Sequence, residues 1–453
     1  MPERCCDPVP LNTVLIPYDD IRALRTALAG DSATTRTVVI PTSVPPLQLV
    51  RSGAHLFGRA FFFSEPGGIE FGGLGATWRT VASGPGRFSI LEDEFAAASL
   101  PRGVRAAVGF SFSEDGPKSD LWEGFGAAEV CVPEVAISTS VGGGYELRVT
   151  VAGGQSADNI LSVLSDLAEP GRLRPPEPGN HTVEARPSTL DWQREVDDAV
   201  DAIRSGVVHK VVLSRSVVVK SEVPVPPFDL VHHLGTGHRG CYIFGWQVGD
   251  AVFLGATPEL LLAKRGRSIV SNPLAGSARR GVSDEADQGI GAELMASTKD
   301  RSEHAFVVDD IRDRLGAITD ELVAPSEPSV LRTAAVQHLS TRIHGTLSDG
   351  VSLYDVAATI YPTAAVGGSP RQQAQVFIDK VERLDRGWYT GGIGWTDASG
   401  DGTLALGLRC GLVRANEAHV FAGNGIVAES DAERELLETR LKLRPMLNLL
   451  SAT

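Results

Sequence analysis

Apolar and polar positions along this chain follow two periods, and the change of period organises it. Up to about residue 168, apolar residues come in short β-type runs, such as Thr37-Val38-Val39-Ile40 and Glu146-Leu147-Arg148-Val149-Thr150-Val151, separated by Gly, Pro and Ser turns. Residues 169–190 carry five prolines and read as a linker that either joins domains or crosses a surface. Beyond it, Trp192, Val196, Ala199, Val200 and Ile203 recur at helical spacing and stop at Gly206. A helix therefore feeds the β-rich run 209–219 and puts Lys210 at a strand start. Further helices are predicted over 303–315, 371–383 and 432–450, with strands over 252–263, 391–396, 404–413 and 419–421. The class is mixed α and β, with no solenoid repeat.

Composition narrows the picture. A length of 453 residues allows two or three domains or one large fold, and 42% hydrophobic residues suffice for a core. A net charge of −14 without any dense Lys/Arg block excludes nucleic acid as an expected partner. Five scattered cysteines without CxxC spacing argue against a disulfide framework or a zinc site, which fits a reducing cytoplasm. No signal-like or membrane-length apolar run is present, so a cytosolic protein without membrane contact is expected.

Several residues could carry chemistry, and each has an ordinary alternative. Lys210 shares one strand face with Val212 and Ser214, but a lone lysine at a strand start is ordinarily solvated. Glu259 sits between Pro258 and an apolar run, where desolvation would keep a proton on it, although a wet turn explains it too. Glu303, Val307 and Ile311 share a helix face with Asp300 one turn earlier, and Glu435 and Glu438 repeat the spacing in the last helix. Converging carboxylate pairs would suit Mg²⁺, whereas each pair alone reads as a solvated face. His304 reads as structural. In the run 404–413, Leu404, Leu406 and Leu408 alternate with Ala405, Gly407, Arg409 and Gly411, so Arg409 either reaches into a cavity to hold a carboxylate or lies at an exposed edge or beside a glutamate. The Gly423-Asn424-Gly425 stretch permits close approach to backbone N–H groups or is an ordinary turn, and Lys442 can pair with Glu438 one turn away.

Read in order, these segments resemble the chorismate-utilising enzymes, the family of isochorismate, salicylate, anthranilate and aminodeoxychorismate synthases. The resemblance is carried by HKVVLSR at 209–215, GATPELLL at 255–262, PLAGSARRG at 273–281, KDRSEH at 299–304 and VQHLSTRIHG at 336–345. It continues through YPTAAVGGSPR at 361–371, DRGWYTGGIGW at 385–395, AGNGIV at 422–427 and ELLETRLKL at 435–443. Residues 1–168 match more loosely, through 108–112 and 121–125. The resemblance implies one α/β (α+β) domain over 1–453, in which two layered, mostly antiparallel sheets are flanked by helices. Segment 169–190 would then cross the fold, and 191–453 would carry the motifs.

The same resemblance implies roles. Lys210 would activate water for attack at C2 of chorismate, and Glu259 would protonate the departing C4 hydroxyl. Glu303 and Glu438, supported by Asp300 and Glu435, would hold Mg²⁺. Tyr389, Arg409, Lys442 and the Gly423 and Gly425 backbone would bind substrate carboxylates, with Ala275, Gly276, Ser277, His338 and Ala365 completing the substrate site. Lys210 selects water over ammonia, so no glutaminase subunit is expected, and a monomer is. Ala365 and Ala275-Gly276-Ser277 point to isochorismate synthase, because salicylate synthases tend to carry Thr at the first position and Ala-Gly-Thr at the second. Salicylate synthase and a catalytically silent chorismate-binding protein are the alternatives. Asn424 departs from the family's usual Ala. The pathway served, whether quinone, siderophore or other, is not legible.

Overall fold

The computed structural model of the chain describes residues 14–30, 33–140, 142–171, 173 and 181–451. Its β-type runs pair into two large antiparallel sheets and one small one. The first runs from Arg36–Thr42 through Tyr145–Val151, Val135–Thr139, Glu70–Leu74, Arg59–Ser64, Tyr242–Val248, Ala251–Thr257, Cys410–Arg414 and Glu417–Ile426 to Lys210–Ser221 and Gly368–Ser369, and His181–Arg186 also pairs with Lys210–Ser221. The second orders Thr319–Val323, Ile343–Leu347, Ser268–Asn272, Leu260–Arg265, Gly402–Leu406, Gly392–Asp397, Arg105–Phe110, Ala128–Val132 and Trp78–Ala82. Leu274–Arg279, Val336–Ser340 and Ser329–Arg332 form the third.

Strands from both sides of the proline-rich segment share these sheets. Tyr242–Val248 pairs with Arg59–Ser64, and Gly392–Asp397 pairs with Arg105–Phe110. Residues 172 and 174–180 of that segment lie outside the described residues.

The large sheets face each other across an aromatic core, in which Phe61, Phe63, Trp246 and Phe253 of the first meet Ile393, Trp395 and Ala405 of the second. Each fully buried Phe or Ile among them contributes roughly 1.5–3 kcal/mol. Helices cover the outer faces. Tyr18–Ala27, Pro46–Gly53 and Pro227–Gly237 bury their apolar faces with the first sheet, and Arg87–Ala97, Thr298–Gly316 and Leu353–Ile360 with the second.

The helix predicted after the linker is Thr189–Arg204, started by Ser188, whose hydroxyl accepts from the Asp191 N–H at 3.2 Å. Its buried residues include Trp192, Val196, Ala199 and Val200, the stripe seen in the pattern. The other predicted helices are Thr298–Gly316, Arg371–Val381 and Ala432–Ser451.

Three predicted strand features differ. The run 252–263 breaks at Pro258-Glu259 into Ala251–Thr257 and Leu260–Arg265, which belong to different sheets. The run 404–413 breaks likewise at 407–409, so Arg409 leaves the alternation assigned to it and adopts a left-handed φ of 49°. Conversely, the strand foreseen over 419–421 extends as Glu417–Ile426, so Gly423-Asn424-Gly425 lies within a strand. Apolar alternation continues through the change of sheet at 407–409, because each half still buries one face in its own layer.

Candidate active site

The two sheet changes run side by side. The Leu406 N–H donates to the Glu259 carbonyl at 3.1 Å, and the Ala256 N–H donates to the Arg409 carbonyl at 3.2 Å. Pro258 has no N–H to give to a ladder, so the chain leaves the first sheet there and delivers Glu259 into the gap between layers. The partner crossing delivers Arg409 to the same gap. A cavity opens there, lined among others by Glu259, Ala275, Gly276, Ser277, Glu303, His338, Ala365, Tyr389, Arg409, Gly423, Gly425, Glu438 and Lys442. Lys210, Asp300 and Glu435 do not line it and stand just behind its wall.

Lys210, 1% exposed, starts the long strand of the first sheet and meets the Glu303 carboxylate at 3.2 Å. The solvated alternative is thereby removed. Val212 reaches the cavity from the same strand face, as the alternation requires. A β-carbon on Gly425 would fall on the Glu303 carboxylate and lie 2.7 Å from the Lys210 Cε, so only glycine leaves room for that pair.

Glu259 is 4% exposed, and burial pushes its carboxyl up to about 8 against the opposing pull of the Leu274 N–H and the charges of Lys210, Arg409 and Lys442. The Leu274 N–H lies 3.4 Å from its Oε1. At neutral pH this carboxyl carries a proton and faces a cavity.

The helix Thr298–Gly316 continues its buried stripe of Val307 and Ile311 with Glu303 at the cavity. His304, on the stripe's flank, is buried and bonds Thr341 Oγ1 at 2.7 Å. Burial, with the Lys210 and Arg301 charges, pushes its ring down to about 4, so it is neutral. Asp300 is held in the helix cap, where the Ser297 hydroxyl donates to its carboxylate and accepts from its N–H. Burial raises its carboxyl, and Glu303 and Glu438 raise it further.

From the last helix, Glu438 pairs with Lys442 at 2.8 Å, and Glu435 pairs with Lys299 at 3.0 Å. Burial and the Glu438 charge raise the Glu435 carboxyl. Burial pushes Glu438 up as well, but Lys442, Lys299 and Arg409 outweigh it and leave the carboxyl below its ordinary value. Asp300 thus senses Glu303 and Glu438, and Glu435 senses Glu438, while one carboxylate from each helix, Glu303 and Glu438, lines the cavity.

Across the cavity, Arg409 Nη2 donates to His338 Nε2 at 3.0 Å, while His338 Nδ1 lies 3.1 Å from the Gly276 carbonyl and 3.1 Å from the Ser277 hydroxyl. Burial, with the Arg409 and Lys442 charges, holds the ring well below its usual range. It is therefore neutral, with the proton on Nδ1, because Nε2 has to accept from Arg409. Tyr389 stacks on Phe421 at 5.3 Å between ring centroids. Thr390, Leu408 and Phe421 also line the cavity and escaped the sequence reading. Thr390, with a φ of 62°, follows Tyr389 where the chain turns toward Gly392–Asp397, and an isolated Thr gives no signal of that.

Hard carboxylate oxygens from two helices at a cavity are a donor set that suits Mg²⁺. Among the described residues, no group of three or more His, Cys, Asp or Glu could hold an ion unaided. Glu303 and Glu438 each present one carboxylate to the cavity, so an ion there would have to complete its shell from water and substrate oxygens. Also among the described residues, no helix is long and apolar enough to cross a membrane.

Comparison with known proteins agrees with this architecture. Residues 23–451 match the family model described as chorismate binding enzyme. The chain is 31% identical over 445 residues to the salicylate biosynthesis isochorismate synthase of Pseudomonas aeruginosa, covering 94% of this chain and 93% of that protein. It is also 31% identical over 431 residues to the isochorismate synthase MenF of Bacillus subtilis, covering 90% and 91%. The solved structure of the menaquinone-specific isochorismate synthase MenF from Escherichia coli superposes with a TM-score of 0.82 at 25% identity, covering 95% of this chain and 98% of that one. Anthranilate synthase component I from Streptococcus pneumoniae shares the fold, with a TM-score of 0.67 at 22% identity and coverage of 91% and 92%. With a family model spanning nearly its whole length and relatives aligned end to end, this chain belongs to the chorismate binding enzymes.

Proposed function

We propose that the protein is an isochorismate synthase, which converts chorismate reversibly to isochorismate by adding water at C2 and losing the C4 hydroxyl. The observation that carries this reading is a protonated, buried Glu259 at the cavity that Lys210 approaches from behind its wall. An acid and a base at one site are what the exchange of one hydroxyl for another demands.

Lys210, in its neutral amine form, takes a proton from water as the water oxygen bonds to C2, the ring double bonds shift, and the C4–O bond breaks as Glu259 gives its proton to the departing hydroxyl. One water enters, one leaves, and a proton has passed from Glu259 to Lys210. The reverse reaction uses the same two groups with their roles exchanged, as microscopic reversibility requires. Arg409 and Lys442 offer cations to the substrate carboxylates, which a chain of net charge −14 would otherwise repel. Tyr389 and the Gly423 and Gly425 backbone approach the same substrate, and His338 holds Arg409 in place.

Glu303 and Glu438 would hold Mg²⁺, with Asp300 and Glu435 behind them. When bound, the ion supplies positive charge that offsets a substrate carboxylate. Water as the nucleophile requires no ammonia-supplying subunit. Incubating the protein with chorismate and Mg²⁺ and separating the products tests the proposal. Isochorismate supports it, salicylate plus pyruvate makes the protein a salicylate synthase, and unchanged chorismate makes it a silent binder.

A further inference from the structure

The geometry points to Asn424 as a positioning residue that aims Lys442 at the substrate, an inference that rests on the functional reading above. Asn424 lies in the strand Glu417–Ile426 and is 1% exposed. Successive side chains of a strand point to opposite faces. Gly423 and Gly425 line the cavity, whereas the Asn424 side chain bonds Glu435 and Lys442 of the last helix.

Its amide is used on both sides. Nδ2 donates to the Glu435 carbonyl at 2.7 Å and to Glu435 Oε2 at 3.0 Å, while Oδ1 accepts from Lys442 Nζ at 2.9 Å. The opposite amide orientation would set donor against donor at Lys442 and acceptor against acceptor at Glu435, so the network fixes it.

Lys442 has three N–H donors, and three acceptors surround them. They are Asn424 Oδ1 at 2.9 Å, the Gly423 carbonyl at 3.0 Å and Glu438 Oε1 at 2.8 Å. The first two are tied down, Asn424 by its two hydrogen bonds to Glu435 and the Gly423 carbonyl by its strand. Glu438 is a side chain lining the cavity, so the Lys442 N–H that it accepts is the one a substrate carboxylate can claim. With alanine in place of Asn424, one fixed acceptor remains, and the ammonium is free to swing on its long stem.

The experiment uses steady-state kinetics on chorismate for the full chain, its Asn424→Ala and Lys442→Met variants and the double variant, with thermal denaturation as a check on folding. Asn424→Ala is expected to raise KM by about ten- to one-hundred-fold, the order expected for losing a hydrogen bond to a charged group, with kcat changed less than about threefold. Because Asn424 acts through Lys442, the double variant should have the KM of Lys442→Met alone. An unchanged KM in Asn424→Ala, or a double variant in which the two effects multiply, overturns the inference while leaving the functional reading intact. A wild-type protein that leaves chorismate untouched overturns both.

Discussion

Replacing Glu259 by glutamine should stabilise the protein while disabling it, and the gain should depend on pH in a calculable way. The carboxyl is raised from 4.5 to about 8 in the folded protein, chiefly by burial. Between those values the unfolded chain has released this proton and the native state still holds it, so folding takes up a proton. The stability tied to that proton is fully present below pH 4.5 and is lost as pH rises through about 8. Each pH unit in that window removes roughly 1.4 kcal/mol. From 4.5 to 7 the loss is 2.5 units, or roughly 3 kcal/mol at neutral pH. Glutamine keeps the acceptor for the Leu274 N–H and does not titrate, but burying its amide costs about 1–2 kcal/mol without a new partner. A net gain of roughly 1–2 kcal/mol at pH 7 remains. Urea denaturation of both proteins at pH 5, 6, 7 and 8 measures it. The stability of the variant minus that of wild type should lie at or below zero at pH 5, rise with pH and level off above about 8. Parallel stability curves would refute the reasoning, because they would mean that Glu259 has no raised pKa and could not serve as a proton donor at pH 7.

Two further outcomes follow from the same site. Lys210→Ala should lower isochorismate formation by roughly 10²–10⁴-fold, the usual contribution of a general base, with the fold retained by circular dichroism; near-normal product formation would remove Lys210 from the mechanism. Gly425→Ala puts a methyl on the Glu303 carboxylate and against Lys210, so turnover should fall at least about tenfold while the fold is retained by circular dichroism; unaltered kinetics would show that the pair can move aside at little cost.

The long periodic elements were legible because each buries one continuous face. The stripe of Trp192, Val196, Ala199 and Val200 and the alternation around Lys210 need no distant partner to be recognised. Ordered motifs also brought Glu259, Glu303, Arg409, Glu438 and Lys442 to one substrate before any coordinate was known, and the cavity is lined by all five. Taken singly, those residues read as ordinary surface charges, since local pattern does not distinguish a solvated charge from a buried one.

Burial and sheet membership come from contacts far apart in sequence. Glu259 and Arg409 are about 150 positions apart, and the hydrogen bonds between their two crossings exist only once both large sheets have formed. Apolar alternation runs unbroken through 404–413, so nothing local announces the change of layers at 407–409, and Pro258 breaks the other run without telling which sheet the chain joins next. The same holds for Asn424. As a letter out of place in a glycine-rich motif it had no evident purpose, and the last helix, packed against its strand, supplies the lysine and the glutamate that give it one. Periodicity is a property of neighbours along the chain and so settles the elements and their faces. Proton affinity and ligand geometry belong to neighbours in space, and they came into being with the packing of the two sheets.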